Sequence, residues 1–221
     1  MRLPGLKRRR EDPLRTHYNR AAGRSPMRLA ELSDGVFSIA MTLLVLELHA
    51  PAAAAINSDG RLLAALLEIA PKLAAWGMSF LTLGIFWVGQ STQIETLARS
   101  NRDQTWLHLA FLAAVSLVPF TTAVLGEFWE HHLAMVVYWL NITLLGVLLW
   151  LVWAHGKRNH MFIDAWTPEM MAGVERRIIL SQTIYFVAML ISMFGAAYGL
   201  IMMLIVQLNY AFAPRFGRIL G

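Results

Sequence analysis

Residues 28–49 read Arg28-Leu-Ala-Glu31-Leu-Ser33-Asp34-Gly35-Val-Phe37-Ser38-Ile39-Ala-Met-Thr42-Leu43-Leu-Val-Leu46-Glu47-Leu-His49, an apolar block bracketed by two acids. The block approaches the ~20 residues that a helix needs to cross a ~30 Å hydrocarbon core. Asp34 and Glu47 are thirteen residues apart, only ~20 Å along a helix at ~1.5 Å per residue. A helix facing lipid all round would drag one acid into the tails. Acids at that depth usually face a bundle interior or a water-filled path, so the spacing predicts a helix shielded by neighbours or lining a pore. Helix capping or an Arg28–Asp34 pair near the interface, with Glu47 at the far water boundary, accounts for the same spacing.

Two stripes run along this helix. Ile39, Leu43 and Leu46 follow i, i+4, i+7, and Gly35, Ser38 and Thr42 follow i, i+3, i+7 beside them. Aliphatic stripes commonly pack cores and small-residue stripes commonly pack helices. A hydrophobic constriction with hydroxyls beside it fits the same periodicity.

Outward from this block the chain is consistently membrane-like. It has 221 residues, 57% hydrophobic and 15% charged, and mean hydropathy is +0.51. Soluble domains average about 25% charged, so the composition predicts an all-α integral membrane protein. Six apolar segments are expected to cross: about 28–49, 71–91, 105–125, 132–154, 174–194 and 196–213. Runs such as LAMVVYWLNITLLGVLLWLVWA are continuously apolar, not alternating as in a membrane β-barrel. Pro51, Pro71 and Pro168 lie at segment edges, Pro119 predicts a kink in the third segment, and Gly195 a tight final hairpin.

Residues 1–27 form a basic arm, with six Lys or Arg in the first fifteen positions and few large apolar residues. The composition predicts a flexible arm. With the N-terminus cytoplasmic, every one of the 19 Lys and Arg except Arg61 and Lys72 falls inside. That asymmetry predicts a multi-pass cell-membrane protein with both termini cytoplasmic. It also explains the Lys7–Arg10 run as an anionic-lipid-facing tail, with no nucleic-acid partner. The basic arm, apolar core and small residues after His49 resemble a secretory signal, but Asp34 and Glu47 bracket a core that such a signal keeps uncharged.

Other constellations are weak. No cysteine is present, so disulfides and thiolate sites are excluded. His131-His132 project ~100° apart on a helix, and His155, His160 and Asp164 lack a second pair at ligand spacing, so no metal is expected. No catalytic triad order, phosphate loop or paired catalytic carboxylates stands out, so an enzyme and a cofactor are not expected. Trp106, Trp129, Trp150, Trp153 and Trp166 read as interfacial anchors. Trp76 reads as packing, and Trp87 as an indole N–H available to a Ser or Thr of the first helix.

The run from Arg28 to Glu47, Arg-x-x-x-Leu-Ser-Asp-Gly-Val-Phe-Ser-Ile-Ala-Met-Thr-Leu-Leu-Val-Leu-Glu, resembles the signature of the transmembrane protein 175 family of potassium channels. Phe86-Trp87, Ser116-Leu-Val-Pro-Phe120-Thr-Thr, Leu125-Gly-Glu-Phe128 and the close-set final pair extend the resemblance over about 28–213. It implies six transmembrane helices per protomer, a homotetramer, and a central pore for potassium ions lined by the first helix. Ile39, Leu43 and Leu46 match the pore constriction, Ser38 and Thr42 the hydroxyl positions linked to cation preference, and Arg28, Ser33 and Asp34, with Trp87, a brace behind the pore helix. On this reading residues 1–27 are the cytoplasmic arm, 28–213 the channel domain and 214–221 a short cytoplasmic tail. Leu32 replaces the usual Phe, and Gln90 stands where many members carry a His after Phe-Trp, which removes a titratable group from the brace. A proton- or cation-coupled transporter using Asp34 or Glu47 is the alternative. It should show inverted repeats and broken mid-membrane helices, and the sequence announces neither. A scaffold is the weaker third reading.

Overall fold

The computed structural model describes residues 25–52 and 56–212, so most of the expected arm and all of the expected 214–221 tail lie outside the described residues. Helix α1 spans Pro26–Leu43 and tightens into a 3₁₀ turn over Leu44–Glu47. Pro26 starts it, where the ring's fixed φ suits the first turn and no N–H is wasted. Then follow α2 (Asp59–Glu68), α3 (Ala70–Glu95), α4 (Arg102–Ser116), α5 (Val118–Glu127), α6 (His132–Arg158), α7 (Pro168–Ser192) and α8 (Ala196–Phe212). Asn101 caps α4 by accepting the Gln104 N–H at 2.8 Å, and Thr167 caps α7 by accepting that of Met170 at 3.3 Å.

Each of the six apolar segments is helical. Four stretches are long and apolar enough to cross a membrane: Pro26–Glu47, Ala70–Glu95, Arg102–Glu127 and His132–Arg158. In α7, Glu169, Glu175, Arg176 and Arg177 crowd the first half. The short helix α2 is additional; Leu62, Leu63, Leu66 and Leu67 are all exposed on it.

Helices α1, α3 and α4 meet through Phe37, Phe86 and Phe111, with ring centroids 6.0 Å apart for Phe37–Phe111 and 6.3 Å for Phe86–Phe111. Between α3, α5, α6 and α8 the core is polar. Thr122 donates to Ser79 at 2.7 Å, Ser79 to the Tyr138 hydroxyl at 3.2 Å, and Gln207 of α8 reaches Thr82. In hydrocarbon such bonds tie helices together where apolar burial against lipid gives little preference. The hairpin of α7 and α8 is as tight as Gly195 suggests. A Cβ on Gly199 would stand 2.5 Å from the Ser192 Cβ, so only glycine allows this approach.

Two expectations need correction. The third segment is broken, not merely kinked: α4 ends at Ser116 and α5 begins at Val118, with Pro119 in its first turn. Asn141 of α6 fills the break. In the amide orientation that gives each atom a partner, its nitrogen donates to Ala114 O at 3.1 Å and its oxygen accepts the Val118 N–H at 3.3 Å. One side chain thereby replaces the missing helical bond. Trp153 is not an interfacial anchor. It is buried, tilted against Phe162 with ring centroids 4.4 Å apart and edge-on to Trp166 at 5.9 Å, where the α6–α7 loop folds over the helix ends. The loop is pinned by Ala98 N to Met161 O at 2.9 Å and Ile163 N to Thr96 O at 3.0 Å.

Asn141→Leu should strand the Val118 N–H in an apolar interior, while Ala114 O keeps the Leu117 N–H, at a cost of about 1–3 kcal/mol. A lowered Tm in mild detergent would show it; an unchanged Tm would mean that the break is satisfied by other groups.

Candidate pore-lining site

Helix α1 has two faces of different character. Leu29, Ser33, Phe37, Ala40 and Leu44 are buried against the bundle. The opposite face is open: Leu32 is 45% exposed, Ile39 61%, Leu43 42% and Leu46 65%, with Asp34, Gly35, Ser38 and Thr42 exposed beside them. The two sequence stripes therefore share the outward side, and neither is protomer core.

The 3₁₀ turn matters here. A continuous α-helix would rotate Leu46 about 60° from Leu43, whereas residues three apart eclipse in a 3₁₀-helix. The switch at Leu44 brings Leu46 toward the line of Leu43. The Thr42 hydroxyl donates back to the helix, 3.0 Å from Ser38 O and 2.9 Å from Ile39 O. Its proton is thus committed to the backbone and its oxygen lone pairs remain available outward, the polarity a cation requires. Among the described residues the Ser38 hydroxyl makes no such bond.

Behind this face, α3 holds α1 at two consecutive residues. Trp87 Nε1 donates to Asp34 Oδ1 at 2.8 Å, and Gln90 Nε2 donates to Ser33 Oγ at 2.7 Å. Ser33 Oγ passes its own proton to Leu29 O at 2.7 Å. Of the expected brace residues, the structure joins Ser33 and Asp34 to α3 but does not join Arg28. Arg28 is exposed and makes no side-chain bond to another of the described residues. The indole meets the Asp34 carboxylate instead of a Ser or Thr hydroxyl. Gln90 was legible as a departure from a pattern but not as a strut. Its i, i+3 spacing from Trp87, which sets both on one face of α3, was the available signal.

Glu47 is exposed at the end of the 3₁₀ turn, next to a small cavity of about 30 Å³ lined by Leu44, Lys72, Trp76 and Glu127 among others. Lys72 is bonded to Glu127 there, which ties the start of α3 to the end of α5. Trp76 packs beside Phe80 with ring centroids 6.0 Å apart, as its packing role requires.

Comparison with known proteins bears on this site. A family model described as the endosomal/lysosomal potassium channel TMEM175 matches residues 28–119. A potassium channel of Streptomyces collinus is 36% identical over 140 residues, 61% of this chain and 66% of that protein. A potassium channel of Chamaesiphon minutus is 36% identical over 109 residues, 49% of this chain and 53% of that protein. The chain thus spans less than two thirds of the length of each of these relatives. The crystal structure of a lysosomal potassium-selective channel TMEM175 homolog from Chamaesiphon minutus matches with TM-score 0.72 and 24% identity, covering 86% of this chain and 98% of the other. That likeness establishes the fold.

The two bonds distinguish braces from bystanders. Trp87→Phe should cost about 1 kcal/mol through loss of a half-exposed hydrogen bond to a carboxylate, whereas Arg28→Ala should leave stability within about 0.5 kcal/mol. Paired Tm measurements in detergent check the order; a larger loss for Arg28→Ala would reverse the assignment.

Proposed function

The chain belongs to the TMEM175 family, and from that premise we propose that it is a passive, potassium-selective membrane channel. Four copies surround a central pore lined by α1, each protomer crossing the membrane six times with both termini in the cytoplasm of a cell. Ile39, Leu43 and Leu46 form stacked aliphatic rings that control conduction by wetting and dewetting. Ser38 and Thr42 supply hydroxyl oxygens that favour partly dehydrated potassium. Ser33, Asp34, Trp87 and Gln90 hold the pore helix from behind.

The observation that carries the proposal is the composition of the exposed face of α1. Bulky apolar residues share it with Asp34, Gly35, Ser38 and Thr42. Lipid would penalise the acid and hydroxyls, and bulk water would penalise the aliphatic groups. A narrow pore shared with other copies of the chain suits both.

The transporter reading gains one feature, since the break between α4 and α5 is a discontinuous membrane helix of the kind transporters use. Asn141 occupies the backbone groups that such a break would otherwise offer to a substrate, and Asp34 is engaged by Trp87. The channel reading is therefore preferred.

Leu43→Ser should wet the constriction and raise conductance or resting leak, whereas a residue that merely packs would lose stability without opening a path. Thr42→Val keeps the volume and removes the oxygen, so potassium-over-sodium preference should fall with assembly intact. Single-channel recording and reversal potentials test both. Unchanged conductance in the first and unchanged reversal potential in the second would favour the transporter or scaffold.

Native mass measurement in mild detergent should give four chains per particle. A strict monomer would defeat the pore, because one protomer supplies a single copy of α1.

A further inference from the structure

The strut at Ser33 has a third member that the brace itself does not require. Gln90 Nε2, which donates to Ser33, also stands 3.5 Å from Nδ1 of His108 on α4. Ser33, Gln90 and His108 are all buried. His108 Nε2 and Gln90 Oε1 have no partner among the described residues. An amide nitrogen can only donate, so the Nδ1 facing it is a bare acceptor and the ring proton sits on Nε2. This arrangement holds only for neutral imidazole.

We propose that His108 is a positioning residue for the pore helix: neutral, it keeps the Gln90 amide donating to Ser33; protonated, it turns Gln90 over and removes that donated bond, so the Ser33 hydroxyl must choose between Leu29 O and Gln90. A proton taken from water onto Nδ1 makes it a donor facing an NH₂ group. The amide relieves that opposition by rotating, so that Oε1, unpartnered in the neutral state, accepts from Nδ1. Rotation withdraws Nε2 from Ser33. The Ser33 hydroxyl, with one proton, then donates either to Leu29 O or to Gln90 Oε1, but not to both. The Trp87–Asp34 bond one residue on is untouched, so α1 stays attached and changes its seating at one end of the clamp.

Ionisable groups on the surrounding elements leave His108 as the group that switches. On α1, Arg28 and Glu31 are exposed and Asp34 is held by Trp87. On α3, Glu95 is exposed, and Lys72 pairs with Glu127 of α5. On α6, His155 contacts Asn101, Lys157 pairs with Glu175, and Arg158 is exposed. On α4 itself Arg102 and Asp103 are exposed at the first turn.

The effect on conduction rests on the channel reading; the turning of Gln90 does not, and the test separates them. In protein labelled with ¹⁵N-glutamine and held in lipid nanodiscs, the Gln90 side-chain resonance is identified by its loss in Gln90→Leu. It should move as the pH falls from about 7 to about 3 in the wild type and stay fixed in His108→Gln, which keeps an acceptor but takes no proton. Potassium flux from proteoliposomes should follow the same curve in the wild type and be flat in His108→Gln. In Ser33→Ala the resonance should still titrate while flux no longer follows it. A Gln90 resonance that ignores pH in the wild type, or moves equally in His108→Gln, overturns the proposal whatever the flux does. A titrating resonance supports the switch even if the wild type passes no potassium, a result that defeats only the channel reading. Flux whose pH profile survives unchanged in both His108→Gln and Ser33→Ala overturns the coupling to the pore helix.

Discussion

The attachment of α1 to α3 at two adjacent residues is the contact on which the candidate site depends. Trp87 and Gln90 lie one turn apart on α3, and their targets Asp34 and Ser33 are neighbours on α1. Consecutive residues on a helix point ~100° apart, so holding both fixes rotation as well as height. With that rotation fixed, Phe37, Ala40 and Leu44 enter the bundle and Ile39, Leu43 and Leu46 face out. A single bond would permit the helix to roll and would mix the two faces. The carboxylate that looked hazardous in hydrocarbon is thereby part of the fastening.

The rest of the bundle follows from a related constraint, that polar groups within a membrane must find partners inside the protein. Pro119 removes a helical donor, and the chain responds with a full break that Asn141 bridges from another helix. The hydroxyls of Ser79, Thr82, Thr122 and Tyr138 are collected into one cluster to which Gln207 attaches α8. These bonds are directional, whereas apolar contacts between helices compete with equally apolar lipid tails. Directional bonds therefore specify which helices adjoin.

How much of this was legible in the sequence differs by element. The six apolar segments appear as helices because hydrocarbon thickness sets a length that composition reveals directly. The stripes of α1 were legible as periodicity, but not which way they faced, since core and pore demand the same spacing. Trp153 and Trp166 looked like interfacial anchors because they lie near segment ends. The α6–α7 loop, which depends on the remote pairing of Leu97 with Phe162, folds over Trp153. Helix α2 was missed because ten residues with charges at both ends look like a loop in hydropathy.

The sequence by itself determined the helical membrane class, the approximate positions of the apolar segments and the special status of residues 28–47, because these depend on local hydrophobicity and periodicity. Only the tertiary structure decided that Asp34 is held by an indole and not by Arg28, that Gln90 joins Ser33 to His108, and that Asn141 completes a broken helix. Each of these joins residues tens of positions apart: Ser33 with Gln90, Asp34 with Trp87, Asn141 with Ala114. Sequence periodicity specifies a face within one helix, and the partner of that face is set by the packing of the helices against one another.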